Sequence, residues 1–351
     1  MDLLLAIREN SGSAIEFSEY KLVDTEVFQE VLSKYRGRVV PSVGSGAWRL
    51  SNDIRDVSGA LLEKHREPIC IWTAIKHVLN EPDYMMEAYK FVYKTPDLAQ
   101  YPISAPFPDR EVLLDSMISV SYAELTDSFP ILLVNVKTGT SFYRIDSPND
   151  FVRVGGSSIG ASTIHALGKS LTFCSPSTES LLKLGLSVEG PSKSDLLVED
   201  IYGGDCSSIG LPGSIIASCF GKTDIHTNMS DLAKSAIDLM CINTAQLTNL
   251  HAQLNGCRSA VIVGAIGNVE HELEITECIQ RVLNILSGSS STPLGAIFFN
   301  QAKYLGCLGA LLRRESLIDS LSVPVDSATM VDGVDEETYT KLRVLTPPRN
   351  K

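Results

Sequence analysis

Three stretches of glycine with small residues each follow a strand-like run: Gly44-Ser-Gly46, Gly155-Gly-Ser-Ser-Ile-Gly160 and Gly264-Ala-Ile-Gly267. Glycine lets backbone N–H groups come close to a phosphate, and a helix opening from such a loop adds the positive end of its dipole. None has the spacing G-x-x-x-x-G-K-[ST] or G-x-G-x-x-G, and glycine after a strand also makes ordinary turns. Together, with the Gly155 loop leading into a helix, they point to a site for an anionic ligand. In Val43-Gly-Ser-Gly-Ala-Trp-Arg-Leu-Ser-Asn-Asp53 the first carboxylate after the loop is Asp53. Arg153, between Val152 and Val154 on an expected inner strand, would need a carboxylate or phosphate partner; an internal ion pair and a solvent-facing position are the alternatives. Asp200-Ile-Tyr-Gly-Gly-Asp205 and the glycine- and serine-rich run to Gly221 read as a structured loop or a long surface turn. No two of the six histidines have metal-ligand spacing and no Ser/His/Asp arrangement is visible, so hydrolase and metalloenzyme chemistry have little support.

The elements that would position these residues alternate. A helix is expected near Asp24–Tyr35, then a strand ending at Val43. Residues 56–95 read as helical, because Ile69, Ile71, Trp72, Ile75 and Val78 recur at helical spacing. Residues 96–110, with several prolines, read as a linker. From Phe129 a new unit begins. Pro130-Ile-Leu-Leu-Val-Asn-Val136 is an apolar run suited to a strand covered on both faces, followed by a turn at 137–140, a returning strand at 141–145, a turn at 147–150 and a third strand at 151–154. A helix then starts at Ser162. Ser230 is the expected N-cap of a helix to Leu254, with Leu232, Ala236, Leu239, Ile242 and Leu250 along one face. Ser259–Val263 and Leu294–Phe299 read as buried strands, each followed by a helix. Strand, glycine, helix in repetition is the α/β class. A polar tail is expected from Glu315.

Composition excludes several partners. The net charge of −12 and the absence of a basic run longer than Arg313-Arg314 leave no nucleic-acid footprint. The eight cysteines never form C-x-x-C, which fits a reducing compartment and small core residues. No stretch approaches the ~20 apolar residues that span a bilayer, and the start of the chain lacks a signal-peptide pattern. The expectation is a soluble, cytoplasmic protein.

From about residue 30 to Leu312 the sequence resembles the eukaryotic-type (type II) pantothenate kinases. The most specific match is Asp200-Ile-Tyr-Gly-Gly-Asp205 with Gly210-Leu211, Gly213-Ser214, Ala217-Ser218 and Phe220-Gly221. Leu132-Leu-Val-Asn135, Arg153-Val154, Ser158, Gly160 and Thr163 resemble a second block. Val263-Gly264 and Tyr304, Gly306 and Gly309–Leu312 resemble a third, and Gly44-Ser-Gly-Ala47 the family's G-G-G-A loop.

The resemblance implies the two-lobed actin-like ATPase fold (acetate kinase, sugar kinase, Hsp70, actin), with a shortened N-terminal lobe over residues 1–110. A nucleotide, pantothenate and dimerisation lobe would occupy 111–314 and a tail 315–351. It implies ATP-dependent phosphorylation of pantothenate with Mg²⁺, inhibition by acyl-CoA, and a dimer. By the same resemblance Thr138, Ser141 and Arg153 address pantothenate, the arginine at its carboxylate. Gly44, Gly46, Gly160, Ser162, Thr163 and Gly264 would address the nucleotide.

The sequence also departs from the family. Ser51 stands at the position of the catalytic glutamate and is followed by Asn52; Asp53 would share a face with Ser51 if the segment were extended. The first phosphate loop, D-I-G-G-T, is missing, with Leu4 and Leu5 on its glycines, and Lys137 replaces a glycine of N-x-G-S-G. Two readings follow: a divergent active kinase whose first segment is absent from this sequence, or a degenerate paralogue that pairs with and regulates an active subunit.

Overall fold

A computed structural model describes residues 2–8, 15–21, 33–81, 86–93, 108–172, 177–264, 271–287 and 294–322. In chain order its first elements are β1 (Asp2–Arg8), β2 (Ile15–Lys21), β3 (Val39–Ser42), α1 (Gly44–Arg49), α2 (Ser51–Ser58), β4 (Leu61–Lys64) and α3 (Glu67–Asn80). There follow β5 (Ala88–Phe91), α4 (Arg110–Asp115), β6 (Met117–Ser119), α5 (Tyr122–Thr126), β7 (Ile131–Val136), β8 (Thr140–Ser147), β9 (Asp150–Ser157), α6 (Ala161–Thr172) and α7 (Thr178–Leu186). The remainder are β10 (Leu196–Leu197), α8 (Val198–Tyr202), β11 (Ile216–Ser218), α9 (Met229–Leu254), β12 (Ser259–Gly264), α10 (Glu272–Ser287), β13 (Gly295–Phe299) and α11 (Leu305–Ser322).

The chain packs as two units, Met1–Ile75 with Tyr304–Lys351, and Lys76–Lys303. The division differs from boundaries at 110 and 314. Helix α11 packs on β1 and β3 and so belongs with the N-terminal segment, and it runs to Ser322, past the start of the expected tail. The expected helix at 24–35 and linker at 96–110 fall largely outside the described residues.

In the first unit β3 and β4 pair in parallel, from Val39 opposite Leu61 to Ser42 opposite Lys64. Ile54 and Ala60 are buried against Tyr35, Val40, Leu50 and Leu62. Helices α3 and α11 approach so closely at Gly309 that a Cβ there would collide with the backbone carbonyl of Cys70. The segment 56–95 is thus not one helical stretch. The helical periodicity belongs to α3 alone, and strands flank it because each finds a partner distant in sequence, β3 for β4 and β13 for β5.

The second unit is built on a seven-stranded mixed sheet in the order β6-β5-β13-β12-β7-β8-β9. Strands β13, β12 and β7 run parallel at its centre, and β7, β8 and β9 form an antiparallel meander. All positions of β7 are buried, as its apolar run predicts; each large aliphatic side chain so covered contributes roughly 1.5–3 kcal/mol. Helix α9 covers one face. Its N-cap is Asn228, whose Oδ1 accepts the Asp231 N–H at 2.8 Å, rather than Ser230. Leu232 and Ala236 point inward as expected, but Leu250 is exposed. The inward stripe is carried by Ala233, Ile237, Met240, Cys241 and Ala245. The described cysteines are free thiols, with Cys70, Cys241, Cys257 and Cys278 buried. Among the described residues no helix is long and apolar enough to cross a membrane.

Candidate ligand-binding site

The meander sets a row of polar groups across one face of the sheet. Asn135 on β7 lies opposite Ser141 on β8, and Ser141 opposite Gly156 on β9. Between Phe142–Gly155 and Tyr143–Arg153 the register shifts, leaving Val154 as an extra residue, a β-bulge that bends the strand and re-aims its side chains. The bulge brings Arg153 onto the face of Ser141 and Gly156. Its guanidinium lies across Gly156, where a Cβ would stand 2.5 Å from Nη2. The structure therefore places Ser141 and Arg153 on one face of the sheet. It corrects one expectation: β9 is the edge of the sheet, so Arg153 is exposed rather than on an inner strand. The opposite face of β8 is sealed, where Phe142 stacks on His251 of α9 at 4.5 Å. Burial holds the His251 ring below the usual histidine range.

The row ends beside the start of α6. Thr138 is exposed at the β7–β8 turn. Gly160 fits against that turn, its missing Cβ 2.6 Å from the Lys137 carbonyl oxygen. Three amides at the entrance to α6 are engaged within the chain. Ala161 N–H donates to Lys137 O at 2.7 Å, Thr163 N–H to Gly160 O at 2.9 Å, and Gly160 N–H to Thr163 Oγ1 at 3.2 Å. Thr163 Oγ1 in turn donates to Ser158 O at 3.3 Å, while Ser162 is exposed. Gly264 closes β12 at φ 125°, with the Val136 carbonyl occupying the space of its Cβ; the rest of its loop lies outside the described residues.

Gly44, Gly46, Ser51 and Asp53 belong to the first unit. The expected Gly44–Gly46 loop is the first turn of the short helix α1, opened by Gly44 at φ 84° and continued by the Leu50 N–H bond to Gly46 O at 2.9 Å. Ser51 begins α2 and Asp53 sits exposed in its first turn. The segment is helical, not extended. Residues two apart on a helix point roughly 200° apart, so Asp53 does not share a face with Ser51. A half-buried carboxylate of this unit, Glu63, is committed elsewhere, to His65 at 3.0 Å and to Arg314. Burial pushes its carboxyl up, but those two contacts outweigh that and hold it below the ordinary range.

The Asp200 block is a structured loop rather than a plain surface turn, and its acids hold it in place. Asp200 accepts Lys222 Nζ at 2.7 Å and the Leu197 N–H at 2.8 Å, which keep its carboxyl below the ordinary range. Asp205 accepts the Gly213 N–H at 2.7 Å. Asp195, fully buried, accepts Ser235 Oγ at 2.5 Å and the N–H of Phe220 at 2.9 Å, fixing Phe220 at φ 62°. Asn135 carries no site assignment in the sequence reading; the signal was there, a polar residue interrupting an apolar strand.

A model of the Fumble family matches residues 8–313. The chain is 28% identical over 304 residues to the mouse 4'-phosphopantetheine phosphatase, covering 86% of this chain and 32% of that protein. It is 28% identical over 284 residues to rice (Oryza sativa subsp. japonica) pantothenate kinase 2, covering 79% of this chain and 28% of that protein. It therefore spans about a third of the length of these relatives. A ROK hexokinase from Thermus thermophilus aligns with a TM-score of 0.36 at 10% identity, over 89% of this chain and 98% of that one. With the family model covering most of the chain, it belongs to the Fumble family, that of the eukaryotic-type pantothenate kinases.

Proposed function

We propose that this chain is a non-catalytic member of the pantothenate kinase family of coenzyme A biosynthesis, which binds pantothenate and pairs with an active kinase subunit. The observation that carries this reading is at α2: serine stands at the catalytic position, and the nearest acid, Asp53, is exposed and turned away. Losing a general base costs roughly 10²–10⁴-fold in rate. Arg153 and Ser141 remain on one open face, suited to a carboxylate and an adjoining polar group. ATP with Mg²⁺ is the phosphoryl donor in the family, and at the entrance to α6 the Gly160, Ala161 and Thr163 amides are engaged within the chain rather than free to meet its phosphates. One relative is named for a phosphatase rather than a kinase, so the family does not by itself fix this chain's activity.

The test is the purified chain with Mg-ATP and pantothenate. No phosphopantothenate forms above background, while calorimetry shows pantothenate binding that Arg153→Ala removes. The chain also co-purifies with a family member that keeps the loop glutamate. Turnover comparable to an ordinary kinase, abolished by Asp53→Asn, would overturn the reading in favour of an active kinase.

A further inference from the structure

Asn135 is an anomaly inside the sheet. It is 7% exposed, and its Oδ1 is buried without a hydrogen-bond partner among the described residues. Nearly all buried polar groups are paired, and one left unpaired is costly, so an orphan in a central strand needs an explanation. Its place in the row supplies one. Asn135, Ser141 and Gly156 are directly opposed across β7, β8 and β9, with the Arg153 guanidinium over Gly156. Along this row the chain grades from buried at Asn135, through half-buried at Ser141, to exposed at Gly156. With strands ~4.8 Å apart, Asn135 lies about 10 Å from the guanidinium end. Rotation about the last side-chain torsion turns either the oxygen or the nitrogen of the amide toward the row.

We infer that Asn135 is a binding residue for an extended carboxylic acid. Arg153 takes the carboxylate at the open end, and the Asn135 amide hydrogen-bonds an inner amide or hydroxyl group at the buried end. The inference rests on the pantothenate reading, since pantothenate carries a carboxylate, an amide and hydroxyls along one chain.

The experiment is calorimetric titration of pantothenate into the wild-type chain, Asn135→Leu and Arg153→Ala, with thermal unfolding of each. Leucine has nearly the shape of asparagine and removes the unpaired atom, so the melting temperature of Asn135→Leu stays or rises. Its affinity falls about 10- to 100-fold, because the ligand's inner polar group is left unsatisfied. Asn135→Ala, which adds no bulk, reads the same loss should the leucine variant not fold. Wild-type affinity in the Asn135 variants, with loss in Arg153→Ala, overturns the role of Asn135 and leaves the pantothenate site standing. No binding by the wild-type chain overturns both.

Discussion

Replacing Glu272 by glutamine isolates one carboxylate whose protonation the fold controls. Glu272 opens α10 and is 8% exposed. Its oxygens accept the N–H groups of Gln301 at 2.8 Å and Ala302 at 3.2 Å, the residues just before the chain leaves the second unit. Burial pushes its carboxyl up from 4.5 to about 7, and the two N–H bonds and the nearby Lys303 only partly oppose this. The folded-state value lies above the unfolded one, so between those pH values the folded chain holds the extra proton. The resulting stabilisation is complete below pH 4.5, declines as pH rises, and is gone above pH 7. At ~1.36 kcal/mol per pH unit, that span corresponds to about 3 kcal/mol. Glutamine matches the protonated form in shape and does not titrate there. Urea unfolding of wild type and Glu272→Gln at intervals from pH 4.5 to 8 therefore gives a stability difference that shifts by about 3 kcal/mol in favour of the variant. Stability curves that stay parallel across this range would refute the reasoning, because the carboxyl would then titrate alike in folded and unfolded chains.

Two further outcomes concern packing. Gly309→Ala places a methyl group into the Cys70 carbonyl at the crossing of α3 and α11. It lowers stability by about 2 kcal/mol or more in thermal unfolding; an unchanged melting temperature would mean that the helices separate freely. Lys234 and Asp238 form a bidentate pair at 2.6 and 2.7 Å with side chains 1% and 0% exposed. Lys234→Met alone costs about 3–5 kcal/mol because it strands a buried carboxylate, whereas Lys234→Met with Asp238→Leu recovers most of that loss in urea unfolding. A double variant as unstable as the single one would show that the cost was packing, not charge.

The strands β7, β12 and β13 were readable because each is a short apolar run buried on both faces, a pattern set by local composition. So were the meander and the start of α6. The conformation of residues 50–53 is not legible in the sequence. Leu50-Ser-Asn-Asp53 has no strong preference, and α2 is fixed by packing Ile54 against β3 and β4, contacts no window of neighbouring residues contains. In α9 the expected face holds at Leu232 and Ala236 and fails at Leu250 for the same reason. Its inward stripe follows the shape of the sheet and of α10, and small residues such as Ala233 and Ala245 carry it as well as leucines do. In the site, the sequence named Ser141 and Arg153 but misplaced the arginine, since strand order, and hence which strand is an edge, depends on pairings distant in the chain.

By itself the sequence determined the family, the α/β class and that no carboxylate follows the Gly44–Gly46 loop before Asp53. These are properties of residue identity and order. Only the tertiary structure decided that Ser51 and Asp53 do not share a face, because helical geometry turns the two side chains apart. It alone showed that the Gly160, Ala161 and Thr163 amides at the entrance to α6 are bonded within the chain. It also decided that Asn135, Ser141 and Arg153 form one row, because strand register and a single bulge, not spacing along the chain, set which side chains share a face.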